Sequence, residues 1–95
     1  MKVVYSSHLI ERIKRRSFNE KDPRAIFYRP DNKYFDTIQN SNISIKNMFY
    51  NGKRQQIMIA FLYNKGLSSV IIKTIHVEID QEINNRLKSG RYIKR

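Results

Sequence analysis

His8, Arg12 and Arg16 stand four residues apart in the stretch Ser7-His8-Leu9-Ile10-Glu11-Arg12-Ile13-Lys14-Arg15-Arg16. In a helix started by Ser6 or Ser7, that spacing stacks one imidazole and two guanidiniums on a single face. A guanidinium offers donors of fixed direction to an ionised phosphate. An imidazole exchanges a proton near neutral pH. Cleaving a phosphodiester without a metal requires both, so His8, Arg12 and Arg16 form the candidate catalytic set, with His8 moving the proton. Arg15, to one side, is a candidate phosphate contact.

Other residues extend the same chemistry. Lys53 and Arg54 follow the pair Asn51-Gly52 and would project from one end of a sheet, where two close cations can stabilise charge developing on a scissile phosphate. Arg91 and Tyr92 lie in the basic stretch from Ser89 to Arg95 and would combine phosphate contact with base stacking. His76, two residues before Glu78, and Tyr92 are the alternatives to His8 for proton transfer. An ordinary reading stands beside each candidate. A basic helix face or hairpin tip keeps a domain in solution, a first-turn histidine caps or packs, and a histidine at a strand end is often structural.

The whole-chain charge favours the functional readings. Ninety-five residues allow one domain with one modest core, yet the formal net charge is +11. No Asp or Glu occurs from Thr37 to Val77, where Lys46, Lys53, Arg54, Lys65 and Lys73 all fall. Self-repulsion of this size suits a protein that meets an anion, whether nucleic acid, an anionic membrane or an acidic protein. No segment approaches the ~20 apolar residues of a membrane span and no apolar leader opens the chain, so a cytoplasmic domain with no membrane partner is expected. There is no cysteine, no glycine-rich phosphate loop, no Gly-x-Ser-x-Gly and no paired acidic cluster for Mg²⁺, and two histidines alone do not make a zinc site. No metal or cofactor is therefore expected. Hydrolysis would rely on the 2′-hydroxyl as internal nucleophile, which favours RNA over DNA.

The elements that must position these residues read as α+β. Lys2 to Tyr5 is a short strand or extended lead-in. A helix follows with Leu9, Ile10 and Ile13 as its buried stripe, ending near Ser17. A second short helix is expected from Pro23 to Tyr28, capped by Asp22. Strands are expected at Tyr34 to Ile38, Ile43 to Tyr50, Ile57 to Tyr63 and Ser69 to Val77, with a type I′ hairpin turn at Asn51-Gly52. The unbroken apolar run Ile57-Met58-Ile59-Ala60-Phe61-Leu62-Tyr63 marks a central strand covered on both faces. Glu78 to Lys88 returns to helical spacing through Ile79, Ile83 and Leu87. The expected architecture is two N-terminal helices, an antiparallel meander of about four strands and a closing C-terminal helix, with residues 89–95 as a flexible basic tail.

Together the His-x-x-x-Arg-x-x-x-Arg helix, Asp36-Thr37, Gly52-Lys53, Lys73-Thr74 and Ser89-Gly90-Arg91-Tyr92, in this order, resemble the DUF4258-type group of small basic domains. That group is similar in layout to BrnT and, more distantly, to RelE-like toxins. The resemblance implies a ribonuclease that acts on RNA without a metal and is held in check by an acidic antitoxin protein. A non-catalytic nucleic-acid-binding module using the same basic face is the alternative.

Overall fold

The chain runs β1 (Lys2–Tyr5), α1 (Ser7–Arg16), α2 (Asp22–Tyr28), β2 (Asn32–Asp36), β3 (Ser41–Tyr50), β4 (Lys53–Asn64), a 3-10 turn (Lys65–Leu67), β5 (Ser69–Val77), α3 (Asp80–Lys88) and β6 (Tyr92–Lys94). These elements come from a computed structural model that describes all residues, 1–95. All six strands form one mixed sheet in the order β1-β5-β4-β3-β2-β6.

This sheet corrects the expected four-stranded meander closed by a helix. The meander exists as β2 to β5, but β1 joins the edge of β5 in parallel and β6 joins β2 antiparallel, so the chain closes on a strand. Both added strands pair with partners far away in sequence, across helical crossovers, and such pairing leaves no local pattern to read. The tail is correspondingly held. The Thr37 N–H and hydroxyl both donate to the Arg91 carbonyl, at 2.8 and 2.9 Å, and the Arg95 N–H donates to Lys33 at 2.9 Å.

The two crossovers cover opposite faces of the sheet, and β4 explains why. Side chains alternate along a strand. Ile57, Ile59 and Phe61 pack with Leu9 and Ile13 of α1 and Ile26 of α2. Met58 and Ala60 pack on the other face with Ile83 of α3. A run apolar at every position is what a strand between two helical layers requires.

Local chemistry sets the element ends. Ser6 Oγ accepts from the Leu9 N–H at 3.0 Å, capping α1, and donates to the Lys73 carbonyl at 3.0 Å, tying the cap to β5. Ser17 ends α1 in the left-handed region at φ 58°. Asn51 and Gly52 have φ of 55° and 82°, the two positive values a type I′ turn needs. Three packing expectations are corrected. Ile10 is exposed rather than part of the α1 stripe, Ile79 is the exposed N-cap of α3, and Asp22 lies within α2 and accepts from the Asn19 N–H rather than capping the helix.

Asp36 anchors the tail. Its buried carboxylate accepts from Arg91 Nε and Nη2 at 3.0 and 2.9 Å and from the N–H groups of Ile38 and Gln39 at 3.0 and 3.2 Å. Burial alone would raise its pKa. The Arg91 and backbone hydrogen bonds outweigh burial and hold it below the usual carboxylate range. A carboxyl with a lowered folded pKa stabilises the fold above its unfolded value, about 3.9, and that contribution is lost as pH falls through the folded value. Asp36→Asn is thus expected to cost about 1–3 kcal/mol at pH 7 and to shrink the acid-induced loss of stability. Urea titrations at pH 7 and pH 3 check this. Equal losses for both proteins on acidification would contradict it.

Candidate nucleic-acid interface

The C-terminal turn of α1, the β3–β4 hairpin and the last residues of β5 meet at one end of the molecule. Between them lies a cleft of about 490 Å³, walled by Arg15, Arg16, Tyr50, Asn51, Gln55 and His76, with no carboxylate in its lining. Aromatic packing builds it. Phe18, just past the end of α1, stacks on Tyr50 with ring centroids 4.2 Å apart, and the Tyr50 hydroxyl donates to the Arg16 carbonyl. The Gln55 amide then donates to the Tyr50 carbonyl at 2.9 Å. The end of α1 is thereby tied to the hairpin, and its arginines suit the negative end of the helix dipole. Arg15 also pairs with Glu11 one turn back, both side chains being exposed.

Lys53 and Arg54 line an adjoining depression that shares Gln55 and Val77 with this cleft, and Glu78 and Asp80 line that depression too. Four of the expected phosphate contacts, Arg15, Arg16, Lys53 and Arg54, thus come to one end. His8 and Arg12 do not line the cleft. His8 is exposed on the first turn of α1, about 12 Å along the helix from Arg16. Arg12 is half-buried, with its Nε shielded from solvent and without a hydrogen-bond partner. The expected His8-Arg12-Arg16 cluster is therefore a helix face of which only the far end reaches the cleft. Arg91 is engaged by Asp36, and Tyr92 is only 2% exposed, stacked on Tyr34 with centroids 5.4 Å apart. Neither Arg91 as a free clamp nor Tyr92 as a stacking platform fits this placement.

The histidine beside the cleft is His76, whose pairing with Met58 sets its side chain on the α3 face of the sheet. β1 pairs with β5 only over Ser69 to Ile72, so the outer edge of β5 beyond that point has no strand beside it. His76 Nε2 lies 3.5 Å from Glu78 Oε2, and the Glu78 side chain is wholly buried while that of His76 is 36% exposed. The same carboxylate oxygen is 2.9 Å from Arg86 Nη1. Burial pushes the Glu78 pKa up, but contacts from His76, Tyr92 and Arg86 outweigh it and hold the carboxyl below its ordinary value. At 3.5 Å the imidazole is a charge neighbour of this carboxylate, whose two oxygens are buried without a hydrogen-bond partner. Tyr92 OH accepts from Arg86 Nη1 at 3.2 Å, and burial together with the neighbouring Glu78 charge raises its phenol pKa. Tyr92 accordingly stays protonated and structural.

A signal for this arrangement was present in the chain. Residues i and i+2 of a strand share a face, so His76 and Glu78 at the end of an apolar strand are placed side by side. Tyr50 and Gln55 as cleft walls carried no signal beyond flanking the hairpin turn.

Compared with family models, with curated proteins and with solved structures, the chain matches none. No helix is long and apolar enough to cross a membrane. No group of three or more His, Cys, Asp and Glu side chains comes together.

Proposed function

We propose that this protein is a toxin-like endoribonuclease that cleaves RNA without a metal at the His76 cleft. The observation that carries the reading is a partly exposed imidazole, backed by a buried carboxylate, at the strand edge that borders a cleft walled by Arg15 and Arg16. Backbone phosphates lie against Arg15 and Arg16, with Lys53 and Arg54 extending the track. His76 takes the proton of a 2′-hydroxyl, and that oxygen attacks the adjacent phosphorus. The bond to the 5′-oxygen breaks, and the imidazolium returns a proton to the leaving oxygen. The products are a 2′,3′-cyclic phosphate and a 5′-hydroxyl. The order of the sequence motifs, which resembles that of toxin-like ribonuclease domains, supports the same reading, and an acidic antitoxin is the kind of partner that would mask such a face.

A second reading, binding without cleavage, is favoured by one observation. The cleft holds a single imidazole, so one residue must serve as both base and acid. Incubation of single-stranded RNA with the protein in EDTA separates the two, since cyclic phosphate ends appear only if cleavage occurs. Binding itself is tested by salt. With four cations on the track, log Kd against log salt should have a slope of magnitude roughly 3, and Arg16→Ala should lower it by about 0.7. Binding unaffected by salt would remove both readings.

A further inference from the structure

A second cavity, of about 250 Å³, opens on the α3 face of the sheet, and His76 lines it as well as the cleft. Its floor is apolar, made by Ile43, Met58 and Ala60, and its rim carries Gln39, Lys73 and Thr74. Lys73 is there because of a β-bulge. Ala60 pairs with Thr74 but Phe61 pairs with Ile72, so Lys73 is the extra residue of β5. Bulges re-aim side chains, and this one sends the Lys73 ammonium to Ser41 Oγ on β3, at 2.7 Å. A part-buried ammonium held by one hydroxyl and in no ion pair is short of electronegative partners. The one carboxylate on the rim, Asp36, is already filled by Arg91 and two backbone N–H groups. The rim therefore presents donors over an apolar floor.

We propose that this cavity is a base pocket selective for keto bases, receiving the nucleobase next to the phosphate held at His76; this rests on the cleft being a phosphate site. A flat ring covers the apolar floor, and its carbonyl oxygen takes the free donors of Lys73 and Thr74. Lysine reads the O6 and N7 acceptors of a guanine-type edge, whereas adenine puts an amino donor where O6 would be. His76, at the stretch of β5 that has no strand beside it, borders both cavities, so a chain passing round that edge would present its phosphate to one and its base to the other.

The test is equilibrium binding of pentamers carrying 2′-O-methyl groups, so that nothing is cut, made of inosine, adenosine, uridine or abasic units. Inosine should bind about tenfold tighter than adenosine, and uridine tighter than the abasic chain. Lys73→Met, which keeps the aliphatic stem, should bring the inosine-to-adenosine ratio close to one, and the isosteric Thr74→Val should reduce it. Arg16→Ala should weaken every pentamer while preserving the ratio. Equal binding of inosine and adenosine, a ratio unchanged in Lys73→Met, or an abasic chain that binds like uridine would overturn the base pocket and leave the phosphate cleft standing. Failure of the wild-type protein to bind any pentamer would overturn both.

Discussion

Replacing His76 with alanine is expected to lower RNA cleavage in EDTA by more than ~10²-fold, while His8→Ala leaves it unchanged. The contrast follows from where the two imidazoles lie. His8 is exposed on the first turn of α1, away from any guanidinium that lines the cleft. His76 borders the cleft with its Nε2 3.5 Å from a buried carboxylate. His76→Ala removes the only imidazole that lines the cleft, so no other residue there can take over the proton transfer. Because His76 is partly exposed, the variant should keep the wild-type circular dichroism spectrum. Wild-type cleavage in His76→Ala would sink the mechanism, and a loss in His8→Ala instead would return catalysis to the N-terminal helix.

The second large effect concerns the fold. Ile59 of β4 is fully buried, pairs with Ser44 and Ile75 on its two sides and belongs to the cluster beneath α1 and α2. Truncation to alanine leaves a cavity that neighbours on two strands and two helices cannot all collapse into. The expected cost is about 3 kcal/mol, equivalent for a domain of this size to a fall of roughly 12–24 °C in Tm. Leu62, three residues on in the same apolar run, is 40% exposed. Leu62→Ala should therefore cost less than about 1 kcal/mol. Thermal and urea denaturation of the pair check this, and similar losses for both would mean that the cover over β4 does not end between Phe61 and Leu62.

How much of this could be read from the chain depends on how local the signal was. Asn51-Gly52 announced its turn because only such pairs take two positive φ values cheaply. The apolar run of β4 announced two covered faces, which hold from Ile57 to Phe61, while Leu62 and Tyr63 at its end are exposed. The bounds of β5, Ser69–Val77, were equally legible. Lys2 to Tyr5 was legible as a short strand or extended lead-in, but neither its place in the sheet nor β6 was, since each owes its pairing to a distant segment rather than to its own composition. Helical spacing drew His8, Arg12 and Arg16 together correctly as a helix face. Spacing says nothing about what stands opposite that face, and the cleft is made by what stands opposite. Tyr92 misled because a tyrosine among basic residues reads alike whether it awaits a nucleobase or fills a core.

The parallel pairing of β1 with β5 also bears on how the chain comes off the ribosome. Lys2–Tyr5 is made early, but its hydrogen-bonding partner, Ser69–Ile72, belongs to the last strand of the meander. Until synthesis has passed that point, the segment has nowhere to dock, and α1, whose cap is fastened to the Lys73 carbonyl, lacks its seat as well. The nascent chain must therefore carry Leu9 and Ile13 uncovered while β2, β3 and β4 are still being assembled, and the domain can close only near the end of translation.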